Sequence, residues 1–402
     1  MKRAVHITIA TAMILASASS IAAQENAKDA SGVTRAGMFW QSETHQSVPA
    51  AHALHVHLDV GSVQVRGDST NGKVNCTMRL RIGRTTQEAA RKEFAKFNTS
   101  ISNKGDKIVY TGYFPSDRSV LLIPELIVSV PRDTDLVYVE TLGGTVTVNN
   151  ITGKVELSTA GGGISVDDIG GSVKAHTLGG SIGVGKAGGN ATLETAGGGI
   201  TVGYLKGDLI AITEGGTTVD VTSTDGSVTI NATGGSIVVR KCKGALDAST
   251  LGGSIEIGDI GSTAILKTAG GNIKLNSAQG RVQATTNQGN IKLSRLSQGA
   301  NARTFAGGIE ADFVASPASF SSSTLQTDMG DIWVALPSDL KVTVKASVEL
   351  ANGHQIQSDF STLRISKDNN APATIYADGS LNGGGAMLKV FTSGGNITFA
   401  KK

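Results

Sequence analysis

A glycine returns every nine residues through the middle of this chain, and few folds can keep that time. It stands at Gly144, Gly153, Gly162, Gly171, Gly180, Gly189, Gly198, Gly207 and Gly216 without a miss. One residue is then inserted between Gly216 and Gly226, which reads as a bulge in one coil, and the period resumes at Gly226, Gly235, Gly244 and Gly253. It runs on through Gly271, Gly280, Gly289 and Gly307, with Ser262 and Gln298 as the breaks. Residues 141–312 hold 36 of the 52 glycines, no proline, and two aromatics, Tyr204 and Phe305. Collagen needs a glycine at every third position and abundant proline, so it is excluded.

Apolar residues keep the same period. Two positions after the glycine come Val146, Val155, Ile164, Val173 and Ile182; four after it come Val148, Leu157, Val166, Ala175 and Val184. That i, i+2 spacing predicts a short strand with alternate side chains turned inward. The residue two before the glycine is often apolar as well: Leu142, Ile151, Ala160, Ile169, Leu178. Each nonapeptide is therefore a strand plus a glycine turn.

A longer period is superposed. Thr141, Thr159, Thr177, Thr195 and Thr213 lie 18 apart, and Thr250, Thr268, Thr286 and Thr304 resume the series. Nine extended residues reach about 30 Å at most, too short to circle a two-layer core, whereas eighteen suffice. The expectation is an all-β fold: a right-handed parallel β-solenoid (β-helix) of about 18-residue coils, two strands and two turns per coil. Nine or ten coils would make a rod roughly 45 Å long. A triangular coil of 27 residues is the geometric alternative, and the threonine period argues against it.

The flanks read differently. Residues 1–23 form a secretory signal: Lys2 and Arg3, an apolar run to about Ala18, then small residues up to Ala23. Residues 24–47 read as a linker, 48–140 as a β-rich N-terminal cap, 141–312 as the glycine-rich solenoid, and 313–402 as a β continuation and C-terminal cap. The N-terminal cap should carry one helix, Gln87 to Phe97, with Thr85 or Thr86 as N-cap and Ala90, Phe94 and Phe97 as its apolar face. Caps stop solenoid ends from pairing edge to edge. No further long apolar stretch follows, so no transmembrane segment is expected in the mature chain. Removal of Lys2 and Arg3 takes the formal charge from +3 to +1, which gives no electrostatic case for nucleic acid. Cys76 and Cys242 both fall on inward positions and read as buried free thiols, although an exported chain could oxidise them.

Val130-Pro131-Arg132, then Thr141-Leu142-Gly143-Gly144-Thr145-Val146-Thr147-Val148, then repeated Gly-Gly-Ser-Ile units form a recognisable series. Gly330-Asp331-Ile332 running into Ala335-Leu336-Pro337, and the final Gly394-Gly395-Asn396-Ile397, continue it. Over roughly 50–400 the chain resembles the bacterial β-strand-repeat family labelled putative adhesins. The resemblance implies an exported, solenoid-like, non-enzymatic envelope or surface protein. Similar domains also occur in envelope-stress sensing systems.

Chemistry is sparse. A polysaccharide-cleaving β-helix needs grouped carboxylates and aromatic platforms, and the coils hold almost no aromatics. Asp167 and Asp168 adjoin, as solvated corner residues rather than a pair. Glu256, Lys274, Lys292 and Glu310 occupy one outward position in successive coils and predict a charge ladder. Calcium-binding nonapeptide rolls share the period, but the positions where they place aspartate hold Val148, Val166, Val184 and Val202 here. No phosphate loop appears, and His176 and His354 suggest no nucleophile–base set. The sharpest metal candidate is His55, His57 and Asp59, which share one strand face, with His45 and His52 nearby. An exposed polar strand face is the plainer account of them. No catalytic residue and no cofactor is assigned.

The resulting expectation is a periplasmic or surface-exposed scaffold presenting flat polar faces to an envelope protein or a glycan. Its ends could also associate with a like solenoid. The alternatives are an envelope-stress sensing or regulatory module and, third, a polysaccharide-active enzyme.

Overall fold

A computed structural model describes residues 32–402 except 84, 116–121, 217, 352, 369, 371 and 372. The signal segment and the first residues of the linker lie outside the described residues. Strand is the main element, with one short helix among the described residues, and the strands form two long sheets of 18 each, neither closing on itself. From Leu136–Thr141 to Val342–Val348 successive strands alternate between them. Val146–Ile151, Ile164–Ile169 and Ile182–Ala187 stack in parallel in the first sheet. Lys154–Thr159, Val173–Thr177 and Ala191–Thr195 stack in the second. Partners are 18 residues apart, as in Val146↔Ile164 and Val155↔Val173, so the coil is two-sided rather than triangular.

The reason is the period-two pattern. Val146, Val148, Ile164, Val166, Ile182 and Val184 are at most 2% exposed, as are Val155, Val173 and Ala191 from the facing sheet. One continuous apolar core therefore runs the length of the rod between the sheets.

The winding continues beyond the glycine-rich repeats at both ends, through the ladder from Lys107–Tyr113 to Val342–Val348. Fifteen parallel coils result among the described residues, against the expected nine or ten. At about 4.8 Å per coil the rod is roughly 70 Å long, not 45 Å. The flanks hide their coils because glycine is not obligatory where antiparallel strands and loops interrupt the chain.

Both ends use one device. The first coil, Ala53–Leu58 with Ser62–Arg66, does not sit at the end of the rod. It lies between the coil of Lys107–Tyr113 and Leu122–Ser129 and the coil of Leu136–Thr141 and Val146–Ile151. The last coil, Ala386–Gly394 with Ile397–Lys401, is likewise inserted between Ser323–Met329/Ile332–Leu336 and Val342–Val348/Ile356–Ser358. Each end of the winding is thus clamped on two sides. Beyond the clamps, antiparallel strands finish the sheets: Lys73–Gly83, Phe39–Pro49 and Thr34–Ala36 at one end, Thr374–Leu381 and Arg364–Asp368 at the other. Short edges such as Ile356–Ser358 and the charged, exposed Arg364–Asp368 oppose further pairing.

Three expectations are corrected. The helix spans Gln87–Phe94; Thr86 caps it by accepting from the amide of Ala89, and Ala90 and Phe94 are buried. It stops before Phe97, whose neighbour Asn98 opens the next strand. The inserted residue does not bulge a strand. Register is unbroken from Ile200↔Val219 to Leu205↔Thr224, and the offset changes at the corner after Gly216. Finally, the apolar residues two before each glycine are of two kinds. Ile151 and Ile169 are buried, while Leu142, Leu178 and Leu251 are 53–64% exposed. The nine-residue period conceals two different corners.

Candidate functional site

The corner leading from the second sheet to the first is built on threonine. Thr177 Oγ1 donates to Gly162 O at 2.7 Å and accepts from Gly180 N at 3.2 Å. Thr159, Thr195, Thr213, Thr250 and Thr268 repeat this pair of bonds, with Ala232 taking the place in the coil between Thr213 and Thr250, and Thr286 and Thr304 repeat the donation. Each buried hydroxyl ties its coil to the preceding one and satisfies a turn carbonyl. The opposite corner is packed with Ile151, Ile169, Ala187, Leu205, Thr224, Cys242 and Ile260 in one stack.

Polar side chains also stitch the outside. The amide of Ser254 donates to Ser236 Oγ, that of Asn272 to Ser254 Oγ, that of Asn290 to Asn272 Oδ1, and that of Gly308 to Asn290 Oδ1, at 2.7–3.3 Å. The ladder of Glu256, Lys274, Lys292 and Glu310 is in register. Its two lysines are neighbours, so each turns to its own carboxylate: Lys274 Nζ to Glu256 Oε1 at 2.9 Å, and Lys292 Nζ to Glu310 Oε2.

The histidine strand is spoken for piece by piece. His55 stacks on Tyr138, centroids 5.2 Å apart, and burial followed by Lys107 pulls its pKa below the ordinary imidazole value. His57 Nδ1 lies 3.3 Å from Glu140 Oε2, and His52 Nδ1 lies 2.9 Å from Asp135 Oδ2. Asp59 Oδ2 accepts from the amide of Phe114 at 3.1 Å, beyond the end of the strand. His45 sits on Thr77 Oγ1 at 3.0 Å. Among the described residues no three His, Cys, Asp or Glu side chains converge as a metal-ion set. Asp168 adopts a left-handed backbone (φ 51°) and pairs with Arg132 at 3.0 Å; Asp167 accepts from the amide of Asp168. Val148, Val166, Val184 and Val202 face the core. Cys76 and Cys242 are buried and free.

Two surface depressions stand out, both in the C-terminal third and each beside an exposed aromatic. One of about 440 Å³ lies at the threonine corner by Asn287, Arg303, Phe305 and Asp328. The other, about 530 Å³, lies on the outer face of the first sheet and is lined by Lys292, Ser294, Glu310, Asp312 and Trp333. Sequence reasoning placed Glu310 and Lys292 in a ladder but missed the cleft. Its signal was present: Trp333 stands at an outward position that no other coil fills with an aromatic, the column from Thr147 to Glu310 reading Thr, Ser, Gly, Thr, Asp, Val, Glu, Lys, Lys and Glu.

No family model and no curated protein matches the sequence. Two solved structures share a likeness. A putative cell adhesion protein from Clostridium sporogenes ATCC 15579 is 11% identical, over 90% of this chain and all of that one, with a TM-score of 0.18. A putative adhesin from Bacteroides fragilis NCTC 9343 is 10% identical, over 90% of this chain and 97% of that one, with a TM-score of 0.21. Overlays that loose assign no residue a role. The class that the coordinates themselves define is a two-sided parallel β-solenoid with clamped ends. No helix among the described residues is long and apolar enough to cross a membrane.

Proposed function

We propose that this chain is an exported, non-enzymatic scaffold that binds at the cell surface, an adhesin-like protein whose working parts are its outer faces. The observation that carries the reading is the pair of 18-stranded sheets. Each presents polar columns at coil spacing on a core continuous enough to hold them rigid. Such a face meets a partner with little ordering cost, because its side chains are already fixed by neighbours one coil away. The charged, short end strands favour binding by the faces over end-to-end pairing. The signal-like residues 1–23 and the resemblance to adhesin repeats agree with a place outside the cytoplasm. Binding of purified, labelled protein to bacterial or host cells, together with capture from envelope extract, tests the reading. Binding to neither overturns it.

A further inference from the structure

We propose that the depression around Trp333 is a binding site for an uncharged sugar unit of an oligosaccharide. This deepens the scaffold reading and rests on it, since it takes the outer face as a contact surface. Trp333 lies on the first sheet between Glu310 on one adjoining coil and Thr398 on the other. Its side chain is outward and the residue is 39% exposed, although an indole left to water forfeits the stabilisation that burial of its large apolar surface would give.

The groups beside it have the complementary chemistry. Glu310 and Asp312 are two apart on Ile309–Phe313, so both carboxylates rise from the same face. Each is held by an ammonium group, Glu310 Oε2 by Lys292 and Asp312 Oδ1 by Lys402. Those pairs engage one oxygen of each carboxylate, and Glu310 Oε1 and Asp312 Oδ2 can accept from hydroxyl donors. The Ser294 hydroxyl can both donate and accept at the rim. An aromatic plane flanked by fixed acceptors suits a sugar ring. The ring's C–H face covers the indole while its hydroxyls reach the carboxylates.

Charge decides against the other ligands. The two carboxylates are balanced by two lysines, so the cleft holds no surplus cation for a uronic acid and no surplus anion for a quaternary ammonium. At about 530 Å³ the depression is within the range of small-ligand clefts. The depression at Phe305 lacks this balance of features, since its acceptor Asp328 and donor Arg303 flank a phenyl ring at a corner rather than a plane on a sheet.

The test is calorimetric titration of the whole chain with cellotriose, maltotriose, xylotriose and the trimer of N-acetylglucosamine, with tri-galacturonate as the anionic probe. At least one uncharged trimer should bind. Trp333→Ala should weaken it tenfold or more, Trp333→Phe less, and Glu310→Gln several-fold. Should Trp333→Ala fail to fold, Trp333→Phe and Glu310→Gln carry the test. Failure of every uncharged trimer to bind, undiminished binding by these variants, or binding of tri-galacturonate alone would overturn the proposal. The two readings separate in one comparison. Cell binding without sugar binding removes the sugar site and leaves the scaffold standing; sugar binding with neither cell binding nor capture from envelope extract does the reverse.

Discussion

Thr177 Oγ1 lies 2.7 Å from the carbonyl oxygen of Gly162, fifteen residues earlier and one coil away, and the residue is wholly buried. The same oxygen accepts from Gly180 N at 3.2 Å, so one hydroxyl satisfies two turn groups, one buried and one half-buried. Thr177→Val keeps the shape and removes both bonds. An unsatisfied buried polar group costs about 1–3 kcal/mol, so the variant should melt clearly lower. Thr177→Ser should recover most of the loss. Thermal unfolding followed by circular dichroism decides it, and a Val variant that melts with the wild type would show that the ladder is incidental.

The glycine that follows has a different task from the one its position in a turn suggests. Most of the periodic glycines do not have positive φ; Gly144 and Gly307 are the exceptions. A Cβ built on Gly180 would instead lie 2.2 Å from Gly162 O, and one on Gly198 2.1 Å from Gly180 O. What glycine supplies here is close approach of one coil's backbone to the next. Gly180→Ala should therefore already destabilise strongly, and Gly180→Val should do so further. Gly183→Ala is the control. Its Cβ would meet nothing nearer than 4.0 Å, and the change should be neutral or slightly stabilising. Equal melting temperatures for Gly180→Ala and Gly183→Ala would refute the close-approach account.

These two residue types show why so much of the fold was legible. Inward Val and Ile at i, i+2 set the strands, and the 18-residue return of threonine set the coil, because each coil repeats the environment of the last. The repeat hid whatever differs between corners. Leu142 and Ile151 hold the same place in the nine-residue pattern, yet one points to solvent and the other to the core, since one corner fills its interior with a threonine hydroxyl in nearly every coil and the other is mainly apolar, with Thr224 as its hydroxyl. Order along the rod was equally hidden. Nothing local in Ala53–Leu58 says that Lys107–Tyr113 will slide beneath it, because that pairing is settled by contacts distant in sequence. The Trp333 cleft escaped for a third reason: its lining comes from Lys292, Glu310 and Trp333 on three separate coils, with Lys402 reaching Asp312 from a fourth.

The clamped C-terminus makes a local prediction. Among the described residues Ile356–Ser358 pairs only with Ile397–Lys401, and Val342–Val348 leans on Ala386–Gly394. Phe399, wholly buried, anchors that last strand. Phe399→Ala should cost about 3–5 kcal/mol, felt first at the end of the rod. Amide exchange should quicken at 342–358 and 386–401, while 146–296 keeps wild-type protection. Uniform loss along the chain would mean that the rod unfolds as one cooperative unit and that the clamp has no separate standing.

The two thiols give the pH prediction. Burial pushes the Cys76 thiol from its ordinary value near 9 up to about 12, and burial pushes Cys242 up to about 11. The folded state thus favours the protonated thiol in both. That stabilisation is complete below pH 9, where the unfolded thiols are still protonated, and is lost progressively as the pH rises to about 11 and then 12. Neither thiol should react with a water-soluble disulfide reagent at pH 8 until the chain is unfolded, because the thiolate is the nucleophile. Cys76→Ala should flatten the alkaline fall in stability measured by urea unfolding between pH 9 and 12. Cys242→Thr offers a conservative partner: Thr224, one coil before, already donates to Gly207 O at 3.0 Å where Cys242 Sγ lies 3.4 Å from Gly226 O. It should fold as stably as the wild type and remove that thiol's share of the slope. An alkaline profile unchanged in the double variant would place the titrating groups elsewhere in the rod.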